Sequence, residues 1–157
     1  FRIVKFFLLK DLLFELKKKD DKQLIVESQL VESKVYHALE NLPKAKASLT
    51  SVKTTANSIY VVPMLQAEID YMSGLISADE KDYNTAYSYF YETFEGYRSM
   101  NEFELAGLAF KFMLFSKVMA KAPDDCLNLI LVPRSNVGDG PTCLFFDAFL
   151  DAGQKRQ

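Results

Sequence analysis

The sequence predicts an all-α fold, an α-solenoid of stacked helical hairpins. Apolar residues recur at helical spacing from residue 1 to about residue 122, strand-like alternation is nearly absent, and several positions repeat at one offset. Of the 157 residues, 49% are hydrophobic and 25% charged, a composition that excludes a wholly disordered chain. The net charge of −2 argues against a protein that binds nucleic acid by neutralising phosphates.

The first three predicted helices follow one another with short breaks. Residues 1–16 have the spacing of one helix face and carry too many charges to span a membrane. Asp20 and Gln23 are spaced to cap a helix over 24–39, whose apolar positions include Val31. Pro43 suits the first turn of the next helix, because proline has no amide hydrogen to lose there.

Two further helices are predicted by proline and capping signals. Pro63 opens a helix that runs to about residue 76, and residues 81–83 turn into a helix rich in aromatic residues. Ser99 and Glu102 have capping-box spacing and predict the start of the last clear helix. The predicted apolar face of that helix consists of Leu105, Leu108, Phe112 and Val118.

An internal repeat with an offset of 41 residues is the most informative pattern. Ser33 aligns with Gly74, Ala45 with Ala86, and a bulky residue follows each alanine by one helical turn. The spacing resembles a tetratricopeptide helix pair, although the usual period is shorter, at about 34 residues. Small residues let two helices approach, and bulky ones fill the gap between units. The predicted repeat-packing residues are Ser33, Ala45, Leu49, Gly74, Ala86, Phe90 and Ser116.

The character of the sequence changes after residue 125. Residues 127–132 form an apolar run without helical period, and residues 133–141 have the composition of a loop. We therefore divide the chain into tetratricopeptide-like helical repeats at 1–125 and a divergent tail at 126–157. We expect the tail to be poorly ordered.

No catalytic, cofactor-binding or metal-binding site is predicted. His37 is the only histidine and does not belong to a His-Glu-x-x-His motif. Gly138 and Gly140 have no lysine beside them, so they do not form a phosphate-binding loop. The two cysteines are too few for a disulfide framework, which fits a reducing intracellular compartment. We therefore expect a protein that is not an enzyme and needs no cofactor.

Two surface features are candidates for contact with a partner. The chain's one basic cluster suits either a solvated helix end or an acidic partner, and consists of Lys17, Lys18, Lys19 and Lys22. Tyr89 and Tyr91 lie off the main aromatic face of their helix, where they could contact a protein or stack on single-stranded RNA. Acidic residues among these aromatics favour packing and protein contact over RNA.

Several stretches resemble the subunit 11 family of the non-ATPase regulatory subunits of the 26S proteasome. They include ELKKKDDK at 15–22, ESKVYHAL at 32–39 and, most specifically, TAYSYFYE at 85–92 followed by FEGY at 94–97. The resemblance covers roughly residues 13–125. After Cys126 nothing matches the winged-helix PCI module to which this family's right-handed solenoid leads, so we expect that module to be absent.

The resemblance implies a non-catalytic lid subunit of the regulatory particle, found in the cytoplasm and nucleus. Such a subunit would brace the lid against the ATPase base and the core-particle α-ring during ubiquitin-dependent protein degradation. Its partners would be other lid and base subunits in a hetero-oligomer, and the α-ring through repeats that precede this segment. Neither nucleic acid nor a membrane is expected as a partner.

Two other interpretations stay open at this stage. PCI-type solenoids also occur in translation and mRNA-export complexes, so an RNA-binding helical repeat is one of them. The charge balance disfavours it. The other interpretation is a truncated product without function.

Overall fold

Five α-helices account for most of residues 22–120, the part of the chain that the computed structural model describes. They are α1 (Lys22–Ala38), α2 (Leu42–Ala56), α3 (Pro63–Asp79), α4 (Tyr83–Ser99) and α5 (Phe103–Met119). Successive helices pack against each other, and the contact between α2 and α3 is narrower than the others. The described part has no strand, and the predicted all-α solenoid is confirmed. Its handedness and the 41-residue period stay predictions.

Three of the connections between helices use the same turn. Its central residue has a positive φ of 59° at Glu40, 65° at Lys81 and 61° at Asn101. The amide of the following residue then donates to a carbonyl in the last turn of the helix, as in a Schellman motif. That following residue is also the N-cap of the next helix, so one short turn ends one helix and starts another.

Side-chain caps and prolines define where α2 and α3 begin. Asn41 Oδ1 accepts a hydrogen bond from the Lys44 amide at 3.3 Å, which satisfies one of the free amides of the first turn of α2. Pro43 and Pro63 lie in the first turns of α2 and α3, as predicted. At these positions proline costs no hydrogen bond.

The predicted capping box at the start of α5 is wrong. Glu102 is the N-cap of α5 and makes no side-chain capping hydrogen bond. Ser99 instead is the last residue of α4, and its hydroxyl donates to the Gly96 carbonyl at 2.7 Å. Residues 100–102 form the turn between α4 and α5. Ser99 therefore belongs to the helix that ends and does not cap the helix that begins.

Buried apolar side chains form two clusters that share α3. The aliphatic cluster joins α1, α2 and α3 and contains Val26, Leu30, Ala45, Leu49, Val52, Ala56, Ile69, Met72 and Ile76. The aromatic cluster joins α3, α4 and α5 and contains Ala67, Ala86, Phe90, Phe94, Tyr97, Ala106, Ala109, Phe110, Met113 and Leu114. Because α3 contributes to both, it connects the two halves of the stack.

Two of the predicted apolar faces are partly wrong. In α1, Val26 is completely buried, whereas Val31 is 45% exposed. In α5, Leu108 and Val118 are 41% and 53% exposed, whereas Met113 is buried. Apolar residues surround α5 on nearly every side, so spacing alone does not indicate which face meets the core.

Predictions for residues 1–21 and 121–157 fall outside the described residues. They comprise the helix over 1–16, the cap at Asp20 and the divergent tail.

Candidate functional site

The first hairpin brings three of the predicted repeat-packing residues together. Ser33 is completely buried, and its hydroxyl donates to the Ala45 carbonyl at 3.0 Å across the contact between α1 and α2. Ala45 is also completely buried, and Leu49, one turn later, is almost so. A larger residue at either small position would separate the two backbones and break this hydrogen bond.

In the second hairpin the equivalent small residue, Gly74, lies against the ring of Phe90. A Cβ atom at position 74 would lie 2.7–2.9 Å from three atoms of that ring, closer than real contacts allow. Phe90 is buried and has little room to move, because its ring stacks on Phe112 at 5.2 Å and packs against Tyr71 at 6.0 Å. Gly74 thus leaves the space that the ring fills.

The other two predicted packing residues, Ala86 and Ser116, are also buried. Ala86 belongs to the aromatic cluster and has no exposed surface. Ser116 donates its hydroxyl to the Phe112 carbonyl of its own helix at 2.8 Å. Ser116 is therefore a small buried residue like Ser33, but its hydroxyl bonds within its own helix and not to a neighbouring one.

Three of the predicted partner contacts lie within the described residues, and Lys17, Lys18 and Lys19 lie outside them. Lys22 is the exposed first residue of α1. Tyr89 contacts Lys53 of α2, whose ammonium donates to the phenol oxygen at 3.0 Å and lies 4.1 Å from the ring centroid. Tyr91 is 43% exposed, so its ring offers more surface to a partner than Tyr89 does.

A row of polar contacts, which the sequence pattern did not predict, joins the first hairpin to the helices that follow it. Lys34 lies 2.5 Å from Glu68, and Lys46 lies 2.7 Å from both carboxylate oxygens of Glu80. Both pairs join residues 34 positions apart, so a search for opposite charges at one constant separation could have found them.

A histidine and a carboxylate at two helix ends extend this row. His37 Nε2, in the last turn of α1, lies 2.6 Å from Asp79 Oδ2 at the end of α3. The sequence pattern assigns His37 no metal-binding motif, and the structure leaves its side chain 29% exposed.

Asp70 in α3 and Tyr97 in α4 are among the titratable groups whose pKa values are raised. Burial raises the pKa of Asp70, and a hydrogen bond from Gln66 and the positive charge of Lys53 lower it in part. Burial and the negative charge of Glu68 raise the pKa of Tyr97 to about 12. Both shifts reflect the loss of water around a group that would carry a negative charge.

Among the five described helices, α5 carries the largest number of exposed large apolar side chains. Phe103, Leu108, Phe115, Val118 and Met119 are each 41–57% exposed. Apolar residues grouped on one element are typical of surfaces that bind other proteins. This surface was missed at the sequence level, since Leu108 and Val118 were assigned to the packed face.

A groove and a cleft lie between the helices of the described segment. A groove of about 430 Å³ between α1 and the start of α3 is lined by polar and apolar side chains, the latter including Leu30, Val31 and Leu65. A polar cleft of about 240 Å³ between α2 and the second hairpin is lined by Lys46, Lys53 and other residues.

Within residues 22–120, no three His, Cys, Asp or Glu side chains group as metal ligands, and none of the helices there has the length and apolarity to cross a membrane.

No protein-family model matches the chain, but curated relatives do. It is 53% identical over 119 residues to the 26S proteasome non-ATPase regulatory subunit 11 of Dictyostelium discoideum, a match that covers 76% of the chain and 29% of that protein. It is 49% identical over 123 residues to the probable 26S proteasome regulatory subunit rpn6 of Schizosaccharomyces pombe, covering 78% and 29%. It is 48% identical over 147 residues to the probable subunit rpn-6.1 of Caenorhabditis elegans, covering 93% and 34%.

The chain thus spans about a third of the length of the relatives it matches. The match to the C. elegans protein is too long to end at residue 126, so it includes part of the tail. The divergence and poor order of residues 126–157 stay predictions. The resemblance stated from the sequence is confirmed: over most of its own length, the chain belongs to the family of 26S proteasome regulatory subunits called Rpn6 or non-ATPase regulatory subunit 11.

Proposed function

We propose that this chain is a non-catalytic scaffold segment of the 26S proteasome regulatory lid. The observation that carries the proposal is its 48–53% identity, over 119–147 residues, to 26S proteasome regulatory subunits. The segment would help to brace the lid, the ATPase base and the core particle during ubiquitin-dependent protein degradation. Its partners would be other lid and base subunits in the cytoplasm and nucleus, with the core-particle α-ring reached through residues that precede it.

The geometry supports a function based on surfaces. A scaffold must hold its own shape while it presents surface to neighbours, and the two apolar clusters hold these five helices together. At 1.5 Å per residue, α5 is about 25 Å long, so its exposed apolar residues offer enough length to bind a partner helix. We therefore place the first contact with another subunit on α5.

Affinity purification of the tagged chain from its own cells, read by mass spectrometry, tests the proposal. We expect lid and base subunits to be recovered. The Phe115→Asp variant should reduce their recovery at least about tenfold, because it puts a charge into the apolar surface of α5. Tyr60→Asp is the matched control: Tyr60 is 85% exposed in the link between α2 and α3, and its replacement should leave recovery unchanged.

Two results would contradict the proposal and support instead the truncated product or the RNA-binding repeat. Recovery of chaperones alone would indicate a truncated product that does not assemble. If the chain shifts the mobility of RNA in a gel, and this binding weakens steeply with added salt, the chain would be an RNA-binding helical repeat. Equal loss of partners in the Phe115→Asp and Tyr60→Asp variants would remove α5 as the contact surface.

A further inference from the structure

The link between the first hairpin and the rest of the stack differs from the other links. Six residues, 57–62, connect α2 to α3, whereas three residues connect each of the other helix pairs. The packed contact between α2 and α3 is also narrower than the contacts of α4 with α3 and α5. A longer link and a narrower contact allow more relative movement at this junction than elsewhere in residues 22–120.

Among residues 22–120, four polar contacts cross this junction, and they all have the same polarity. The basic side chain belongs to the first hairpin in each case, and the acceptor belongs to α3, to the turn after it, or to α4. The contacts are Lys34 with Glu68, His37 with Asp79, Lys46 with Glu80, and Lys53 with Tyr89. They are distributed along both α1 and α2, so the hairpin cannot rotate on α3 without breaking some of them.

Their exposure indicates what such contacts can do. The side chains of the two lysine–glutamate pairs are 35–59% exposed, so water and salt reach them. Exposed pairs of this kind contribute little to overall stability. Charge-assisted hydrogen bonds are short and directional, however, whereas apolar contact has no preferred direction. The four polar contacts are therefore suited to set the angle between the first hairpin and α3. The aliphatic cluster is suited to hold these helices together.

We propose that the junction between α2 and α3 is a salt-sensitive joint, in which the four polar contacts set the angle of the first hairpin on the rest of the stack. Added salt weakens the two lysine–glutamate ion pairs among these contacts and allows the hairpin to swing, while the aromatic block of α3, α4 and α5 keeps its shape. A scaffold with such a joint has its curvature set by surface charge. The inference concerns the isolated chain and does not depend on the proposed function.

Distance measurements between pairs of spin labels on the full chain test the joint. Cys126→Ser and Cys143→Ser first remove the native thiols. One labelled pair then spans the joint, at Ser51→Cys in α2 and Ser88→Cys in α4, and a second pair lies within the aromatic block, at Ser88→Cys and Glu104→Cys. All three labelled positions are exposed. From 10 mM to 1 M salt, the distance distribution across the joint should broaden about twofold, because the screening length falls to about 3 Å.

Charge variants separate the polar contacts from other effects of salt. At low salt, Lys46→Glu or Glu80→Lys alone should broaden the distribution across the joint, and the double exchange should restore it. Glu95→Gln is the matched control: Glu95 pairs with Arg98 within α4, so its loss should leave the joint unchanged. Lys46→Gln tests the same contact without bringing two like charges together.

Three results would overturn the proposal. The distribution across the joint could stay equally narrow at both salt concentrations. The double exchange could fail to restore what the single variants lose. Both labelled pairs could broaden together, which would show that the contacts hold the whole stack and not one angle.

Discussion

The two halves of the stack bring their helices together with different side chains. In the aliphatic half, Ser33 and Ser48 donate their hydroxyls to carbonyls of the neighbouring helix, at 3.0 Å and 3.1 Å. In the aromatic half, Ser116 and Thr93 bond within their own helices, and stacked rings fill the space between the helices. The helices of the aliphatic half are therefore joined by directional hydrogen bonds, whereas those of the aromatic half are held by the volume of the stacked rings between them. We expect the aromatic half to be more sensitive to changes in side-chain size.

The largest expected effect comes from removing the ring at the centre of the aromatic half. Phe90→Ala should lower the free energy of unfolding by about 3–5 kcal/mol, because it leaves a cavity that stacked neighbours cannot close. The matched change in the aliphatic half is Leu49→Ala, 41 positions earlier, which should cost about 2–3 kcal/mol because a smaller side chain is lost. Urea denaturation of both variants measures the difference. An equal or larger loss for Leu49→Ala would contradict the comparison.

A methyl group added beside the same ring should have the next largest effect. Gly74→Ala should destabilise the chain by a net of about 1–2 kcal/mol, since overpacking against Phe90 outweighs the better helix propensity of alanine. Gly96→Ala is the control, because its new Cβ would lie 3.2 Å from the Ala67 methyl group and only a small shift is needed. Its unfolding free energy should change by less than about 0.5 kcal/mol, since the two effects nearly cancel. Thermal unfolding measures the change in unfolding free energy for both variants. Similar changes for Gly74→Ala and Gly96→Ala would remove the special role of Gly74.

The smallest expected effect tests the hydrogen bond of the aliphatic half. Ser33→Ala removes the bond to the Ala45 carbonyl and should cost about 1 kcal/mol. Ser116→Ala removes only a bond within its own helix, and alanine has the higher helix propensity, so the loss should be under about 0.5 kcal/mol. Chemical denaturation of the two variants in parallel decides the point. If Ser116→Ala were the more damaging variant, the contrast between directional bonds and volume would fail.

The local structure was largely predictable because its causes lie close together in the sequence. Pro43 and Pro63 mark the first turns of α2 and α3, and Asp82 caps α4 by accepting a hydrogen bond from the Thr85 amide at 3.2 Å. Each of these signals acts over three or four residues, so no distant contact is needed to read it. The capping box at Ser99 failed because its spacing also fits a three-residue turn between helices.

The apolar face of α5 could not be read in the same way. Leu108 and Met113 are both large and apolar, yet the first is 41% exposed and the second is buried. A helix with apolar residues on most sides can pack by several faces, and the position of its neighbour selects one of them. The exposed surface proposed as the contact with another subunit therefore follows from packing and not from periodicity.

By itself the sequence determined the helices within 22–120, most of their ends and the family to which the chain belongs, because these depend on short-range pattern and on residue identity. Only the tertiary structure decided that Gly74 meets the ring of Phe90, which side of α5 is exposed and which lysine pairs with which carboxylate. These contacts join residues that are distant in the chain. Their partners depend on the angle between two packed helices, and that angle results from the fit of many side chains at once.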